Sequence, residues 1–218
     1  MGQKVNPKLL RLGTIFNWSS RWFADKKYKE NLLEDFKLRA SLMERLKNAG
    51  VSQIEIERSI NSLRITAYVA RPGMVIGRGG SGLEELKDFM QKTLNIRKNA
   101  KSTAKVDIRI EPVKEPNLDP YLVAKNICDQ LVKRMPHRRA MTQAIERVMA
   151  SGAKGVRIVL AGRVGGAEIG RTEKMHAGKV PLSTIRENIG FSSMPALTKK
   201  GFIGVKVWIN RQEGKASV

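Results

Sequence analysis

Val75-Ile-Gly-Arg-Gly-Gly-Ser-Gly-Leu83 decides how the rest of this sequence is read. Gly77, Gly79, Gly80 and Gly82 flank a single arginine, Arg78, and Leu83, Leu86, Met90 and Leu94 then recur at helical spacing. The pattern predicts a glycine loop opening onto the N-terminus of a helix. The first backbone N–H groups of a helix have no partner within it, and the helix dipole adds partial positive charge there. Glycine lets an anion approach the backbone closely, and Arg78 supplies a full charge, so the stretch reads as a phosphate cradle. Two motifs fit it. Gly77-x-Gly79-x-x-Gly82 matches a dinucleotide fingerprint, which needs a buried strand before it and an acidic residue about 20 positions later. Pro72-Gly73 breaks the approach, and residues 97 to 105 are basic. Gly77-Arg-Gly-Gly80 instead matches the G-x-x-G loop that clamps a nucleic-acid backbone in a KH domain. A plain turn with a helix cap is the bland alternative, and the flanks decide against it.

Those flanks alternate as strands. Ile54 and Ile56 form one run, Leu63, Ile65, Ala67 and Val69 a second, and Val106, Ile108 and Ile110 a third. A turn is expected over 59–62. Phe36, Met43, Leu46 and Ala49 mark a helix that Gly50 ends. Helix, strand, strand, short helix, glycine loop, helix, strand is the order of a type II KH domain.

The chain has 218 residues and a formal net charge of +21. Such self-repulsion is relieved by a polyanion, and nucleic acid is the first candidate. No apolar run approaches the ~20 residues of a membrane span, and the start carries Lys4, Lys8 and Arg11 without an apolar block behind them. No membrane partner is expected. One cysteine, Cys128, and two histidines exclude an internal disulfide and the usual zinc spacings.

The sequence divides into a basic N-terminal arm (1–29), the KH-like unit (30–111), a proline-rich linker (112–120), a C-terminal α+β domain (121–210) and a tail (211–218). Within the arm, Trp18, Trp22 and Phe23 lie among cations; they either stack on bases or, more commonly, pin an arm to its domain. Arg97, Lys98, Lys101 and Lys105 surround the last loop of the KH-like unit. Asp119 and Pro120 start a helix over 121–135. Met135-Pro136 breaks it, and a second helix presents Ala140, Met141, Ala144, Ile145 and Val148 inward. At this joint stands Lys133-Arg134-Met-Pro-His-Arg138-Arg139. Two arginines at a helix start are locally unfavourable by up to ~1 kcal/mol each, and a locally unfavourable choice points to function. Arginine's planar fork suits phosphates. Beyond lie a strand over 155–162, a turn at 163–166, a returning strand over 167–174, a loop over 192–200 and a final strand over 201–209. Arg163, Arg171 and Lys174 stud the hairpin with charge.

No catalytic constellation is legible. The chain lacks a Walker loop and a G-x-S-x-G elbow, and neither His137 nor His176 has a recognisable acid or nucleophile beside it in sequence. The chain reads as no enzyme and as needing no cofactor. A nucleotide-dependent enzyme built on Gly77 to Gly82 is a rival reading, and a KH protein acting on RNA outside any larger assembly is another.

Several blocks carry a specific resemblance. Met1-Gly-Gln-Lys-Val-Asn-Pro7, Arg11-Leu-Gly13, Ala70-Arg-Pro-Gly-Met-Val-Ile-Gly77, Arg138-Arg-Ala-Met141, Gly152-Ala-Lys-Gly155, Gly162-Arg-Val-Gly-Gly-Ala-Glu168 and Gly204-Val-Lys-Val-Trp-Ile209 recur in order along the chain. Together they resemble the bacterial small-subunit ribosomal protein S-three family. The resemblance implies an α+β fold: a type II KH domain followed by a two-layer α+β domain with an antiparallel sheet. It also implies a place in the head of the small subunit of the cytoplasmic ribosome, on ribosomal RNA. The family lines the channel by which messenger enters, together with S-four and S-five, and neighbours S-ten and S-fourteen. By this resemblance Arg138 and Arg139 face incoming messenger RNA, with Lys133 and Arg134 beside them. Gly77, Arg78, Gly79 and Gly80 form the KH loop, and Lys4, Lys8, Arg11, Arg163, Arg171 and Lys174 are expected on ribosomal RNA. Two positions depart from the family's pattern. Thr142 stands where the family often has lysine, and the loop is commonly Gly-Lys-Lys-Gly.

Overall fold

A computed structural model describes residues 4–59, 62–93 and 105–212. The chain separates into two compact units, one formed by 18–114 and the other by 1–17 with 115–218. The stretch read as one arm is therefore divided between them. Its first part begins with a short helix, α1 (Pro7–Leu10), whose N-cap Asn6 accepts a hydrogen bond from the Lys8 backbone N–H.

The 18–114 unit is built on β1 (Ser20–Arg21), α2 (Tyr28–Arg45), β2 (Val51–Arg58), β3 (Ser62–Val69), α3 (Pro72–Ile76), α4 (Ser81–Thr93) and β4 (Lys105–Pro112). Its sheet runs β1-β2-β3-β4, with β2 and β3 antiparallel and β4 parallel to β3. Ile54, Ile56, Leu63, Ile65 and Val69 point to one face, where Leu38 and Leu42 of α2, Leu46 at its C-cap, and Leu86 and Met90 of α4 cover them. Burial of these side chains holds the unit together. Phe36, expected on the inner face of α2, is instead exposed: the buried stripe runs through Leu38, Leu42 and Leu46, and Phe36 lies off it.

Aromatic residues of the former arm divide by role. The Trp22 indole Nε1 donates to Asp35 Oδ2 at 2.7 Å, and Arg58 Nε donates to Asp35 Oδ1 at 2.7 Å. Asp35 is buried, so both donors satisfy a carboxylate that would otherwise be stranded. Trp22 thus pins this segment to the unit. Trp18 and Phe23 remain exposed.

In the second unit follow α5 (Pro120–Val132), α6 (His137–Ala150), β5 (Gly155–Gly162), β6 (Arg171–Gly178), β7 (Ile189–Thr198) and β8 (Gly201–Asn210). The sheet order is β6-β5-β8-β7, and every pairing is antiparallel. Val156, Ile158, Leu160, Val205, Val207 and Ile209 face α5 and α6, whose Ile127, Leu131, Met141 and Val148 complete the core. Asp119 caps α5, accepting from the Tyr121 and Leu122 backbone N–H groups at 2.8 and 3.2 Å. Two expectations are corrected here. Most of residues 192–200, expected as loop, belong to β7. Proline is tolerated because β7 is an edge strand. The returning strand begins at Arg171, not at 167, because Gly162 pairs with Arg171 and the intervening chain turns through Gly165 and Gly166, both at positive φ. Buried Val164 anchors that turn.

Arg11 is the largest surprise in the second unit. Expected on ribosomal RNA, its side chain is fully buried. Nε donates to Glu187 O at 2.7 Å, Nη1 to Pro7 O at 3.0 Å, and Nη2 to Leu182 O and Thr184 O at 3.1 and 2.7 Å. The guanidinium is spent inside the protein, closing α1 onto residues 182–187. Burial lowers its pKa, and Glu187 partly opposes that.

Candidate nucleic-acid interface

Two surfaces carry the predicted site residues, one in each unit. In the first, α3 leads into Gly77, a single tight turn spans Arg78–Gly80, and α4 starts at Ser81. The residue before the loop is helical, so the strand that a dinucleotide site needs is absent there. Gly77 has φ 70° and ψ −176°, a conformation open essentially to glycine alone. Gly79 and Gly80 also have positive φ. Gly82 is fixed for a different reason: a Cβ there would sit 2.3 Å from the Val75 carbonyl oxygen. Close approach of α4 to α3 thus shapes the loop from behind. Gly77, Arg78 and Gly79 are exposed and Gly80 half-buried. Arg97, Lys98 and Lys101 lie outside the described residues, and only the strand placement of Lys105 is described.

The second surface is the joint between α5 and α6. The C-terminus of α5 closes with the Arg134 N–H on Leu131 O and the Met135 N–H on Gln130 O, both at 3.0 Å. This is a Schellman closure, in which the left-handed position is usually glycine. Arg134 occupies it at φ 62°, as the sole non-glycine residue with positive φ among the described residues. Helix α6 then begins at His137 behind Pro136, without a side-chain cap and without an acid in its first turn. Lys133, Arg134, Arg138 and Arg139 are all exposed, and the Arg138 side chain is 81% accessible. The structure therefore brings the four predicted cations to one corner. Thr142 lies in α6, exposed.

A residue that the sequence reading missed stands behind this corner. Glu173 of β6 has Oε2 2.7 Å from His137 Nε2 and Oε1 2.8 Å from Arg171 Nε, with Arg138 Nε at 4.0 Å. His137 thus has an acid beside it after all, brought from another element. The remaining predicted contacts differ in availability. Arg171 is held by Glu173, Arg163 Nε donates to Ala167 O at 2.9 Å, and Lys174 is exposed on the opposite face of β6. Lys4 is exposed, and the Lys8 ammonium lies over the Phe16 ring at 5.8 Å.

Comparison with known proteins bears on both surfaces. A family model described as a KH domain matches residues 37–118, and one described as "Ribosomal protein S3, C-terminal domain" matches residues 127–209. The chain is 47% identical to the "Small ribosomal subunit protein uS3" of Desulfitobacterium hafniense, covering 98% of this chain and 94% of that protein. This chain belongs to the ribosomal protein S3 family. Equally named proteins of Lactobacillus acidophilus and Caldicellulosiruptor saccharolyticus are 47% and 48% identical, over 98% and 96% of this chain and 92% and 91% of theirs. As a member of the S3 family the chain has the α+β architecture expected of it, and the KH loop and the cationic corner fall in its two matched domains. Among the described residues, no cluster of three His, Cys, Asp or Glu side chains could hold a metal, and no helix is long and apolar enough to cross a membrane. Burial pushes the Cys128 thiol up to about 11, which keeps it protonated and unreactive at neutral pH.

Proposed function

We propose that this S3-family chain is a structural component of the small ribosomal subunit of the cytoplasmic ribosome. It binds ribosomal RNA through both units and grips messenger RNA where it enters. The observation that carries the messenger role is the α5–α6 corner. Four exposed cations converge there, two at the close of α5 and two on an α6 start with neither a side-chain cap nor an acid. That arrangement is unfavourable for the isolated protein and favourable against phosphates. The KH loop offers backbone N–H groups and Arg78, and Lys4, Lys8, Arg163, Arg171 and Lys174 are further candidates for ribosomal RNA. The chain acts without a cofactor. Helix opening at the corner draws on ribosome translocation, since only electrostatic holding is asked of the arginines. Neighbouring proteins S-four and S-five at the channel, and S-ten and S-fourteen in the head, complete the surroundings. The domain reading accompanies this: a KH unit over 30–111, a proline-rich segment over 112–120 and an α+β unit over 121–210.

The test has two parts. A tagged copy should sediment with the small subunit at low and at high salt; departure at high salt favours a KH protein acting on free RNA. Within assembled ribosomes, R138A with R139A should leave sedimentation unchanged and slow translation through a stable messenger hairpin. Unchanged speed on that hairpin sinks the messenger role.

A further inference from the structure

Helix α6 starts with an electrostatic problem. Its own dipole is positive at that end, Arg138 and Arg139 add two charges, and Lys133 and Arg134 stand just before. The first acid along α6 is Glu146, beyond the helix start. Nothing local compensates. The compensation comes from the sheet. On β6 the residues 173, 175 and 177 share the face that α6 covers, and Met175 and Ala177 pack into the core there. Glu173 continues that apolar row as a carboxylate, 18% exposed in its side chain.

We propose that Glu173 is the positioning residue of the arginine corner, setting the first turn of α6 so that Arg138 and Arg139 point at messenger. This rests on the messenger-facing role proposed above. The division of contacts carries the proposal. Oε2 takes His137, the first residue of α6, at 2.7 Å, and Oε1 takes Arg171 at 2.8 Å. His137 Nε2 is buried, and this carboxylate oxygen is the acid that stands beside it. The contact locates one edge of the ring, and the helix start with it. Arg138 receives only a 4.0 Å contact while its side chain stays open to solvent. The two closer partners take one oxygen each, so the carboxylate orders the corner while Arg138 keeps its charge for RNA. Such a partner behind a binding residue fixes geometry that the binding residue alone does not hold.

The test is a cycle in whole ribosomes, timing passage through a stable messenger hairpin. E173Q should enter the small subunit, leave speed on unstructured messenger unchanged, and slow hairpin passage about two- to fivefold. E173D, which keeps the charge, should recover most of that. In the R138A/R139A background E173Q should add nothing, because its effect runs through those arginines. An equal slowing with and without the arginines, or wild-type speed for E173Q, overturns the positioning role and leaves the messenger grip standing. If R138A/R139A itself runs at wild-type speed, the grip falls and the positioning role falls with it. Should E173Q fail to assemble, E173D carries the same cycle through its smaller displacement of the carboxylate: slowing that disappears without the arginines supports the role, and wild-type speed or slowing that persists overturns it.

Discussion

The glycine loop and the arginine corner, both proposed to meet a phosphate backbone, would do so by opposite means. The loop contributes shape. Its one cation, Arg78, is secondary to a backbone that only glycine permits at Gly77 and that Gly82 presses into place. The corner contributes charge. Its backbone tolerates ordinary residues, even placing Arg134 where glycine would be at ease, and its four side chains face outward. A site built from backbone fails when its shape is disturbed. A site built from side chains fails when they are shortened, and its fold hardly notices.

That contrast can be broken at four places. The largest effect is expected from Gly82→Ala. Its new Cβ meets the Val75 carbonyl, and the first unit should lose about 3 kcal/mol in a urea melt; a stability within error of the parent would show the loop to be less constrained than its geometry implies. Next comes the arginine pair. R138A/R139A should leave stability unchanged or raise it, by up to ~2 kcal/mol as two charges leave the positive end of α6. The slope of log affinity against log salt for a single-stranded RNA should fall by about 1.4. A marked loss of stability would make the corner structural. Arg134→Gly separates the two currents within one residue: relief of the left-handed backbone should raise stability by about 1 kcal/mol, while the salt slope falls by about 0.7. If the variant is no more stable, Arg134 is held there by contacts, not in spite of strain. The smallest effect is expected for Arg78→Ala, with unchanged melting and a slope lower by about 0.7. A loss as large as that of the arginine pair would erase the distinction between loop and corner.

Much of this was legible from spacing alone. Alternation placed β2, β3, β4 and β8, and the glycines with Arg78 placed the loop, because both signals are local. What stayed hidden was long-range. β7 looks like loop because Ser192, Ser193 and Pro195 punctuate it, and only pairing along β8 reveals an edge strand that accepts a proline. Arg11 looked like one more cation of an arm, since nothing near it announces three carbonyls waiting near the other end of the chain. Glu173 offered a faint signal: an acid in phase with Met175 and Ala177 on a strand interrupts an apolar row. Its partner His137 lies on a different element, so no local pattern could join them.

The Arg11 anchor also sets a timetable. Its guanidinium closes on Glu187, 176 residues further along. At roughly 5–20 residues per second of synthesis, the N-terminal segment waits on the order of ten seconds or more for its seat to be made. The whole 18–114 unit emerges in the meantime. The nascent chain therefore completes its glycine-loop unit first and fastens its own beginning last, with a buried cation as the final latch.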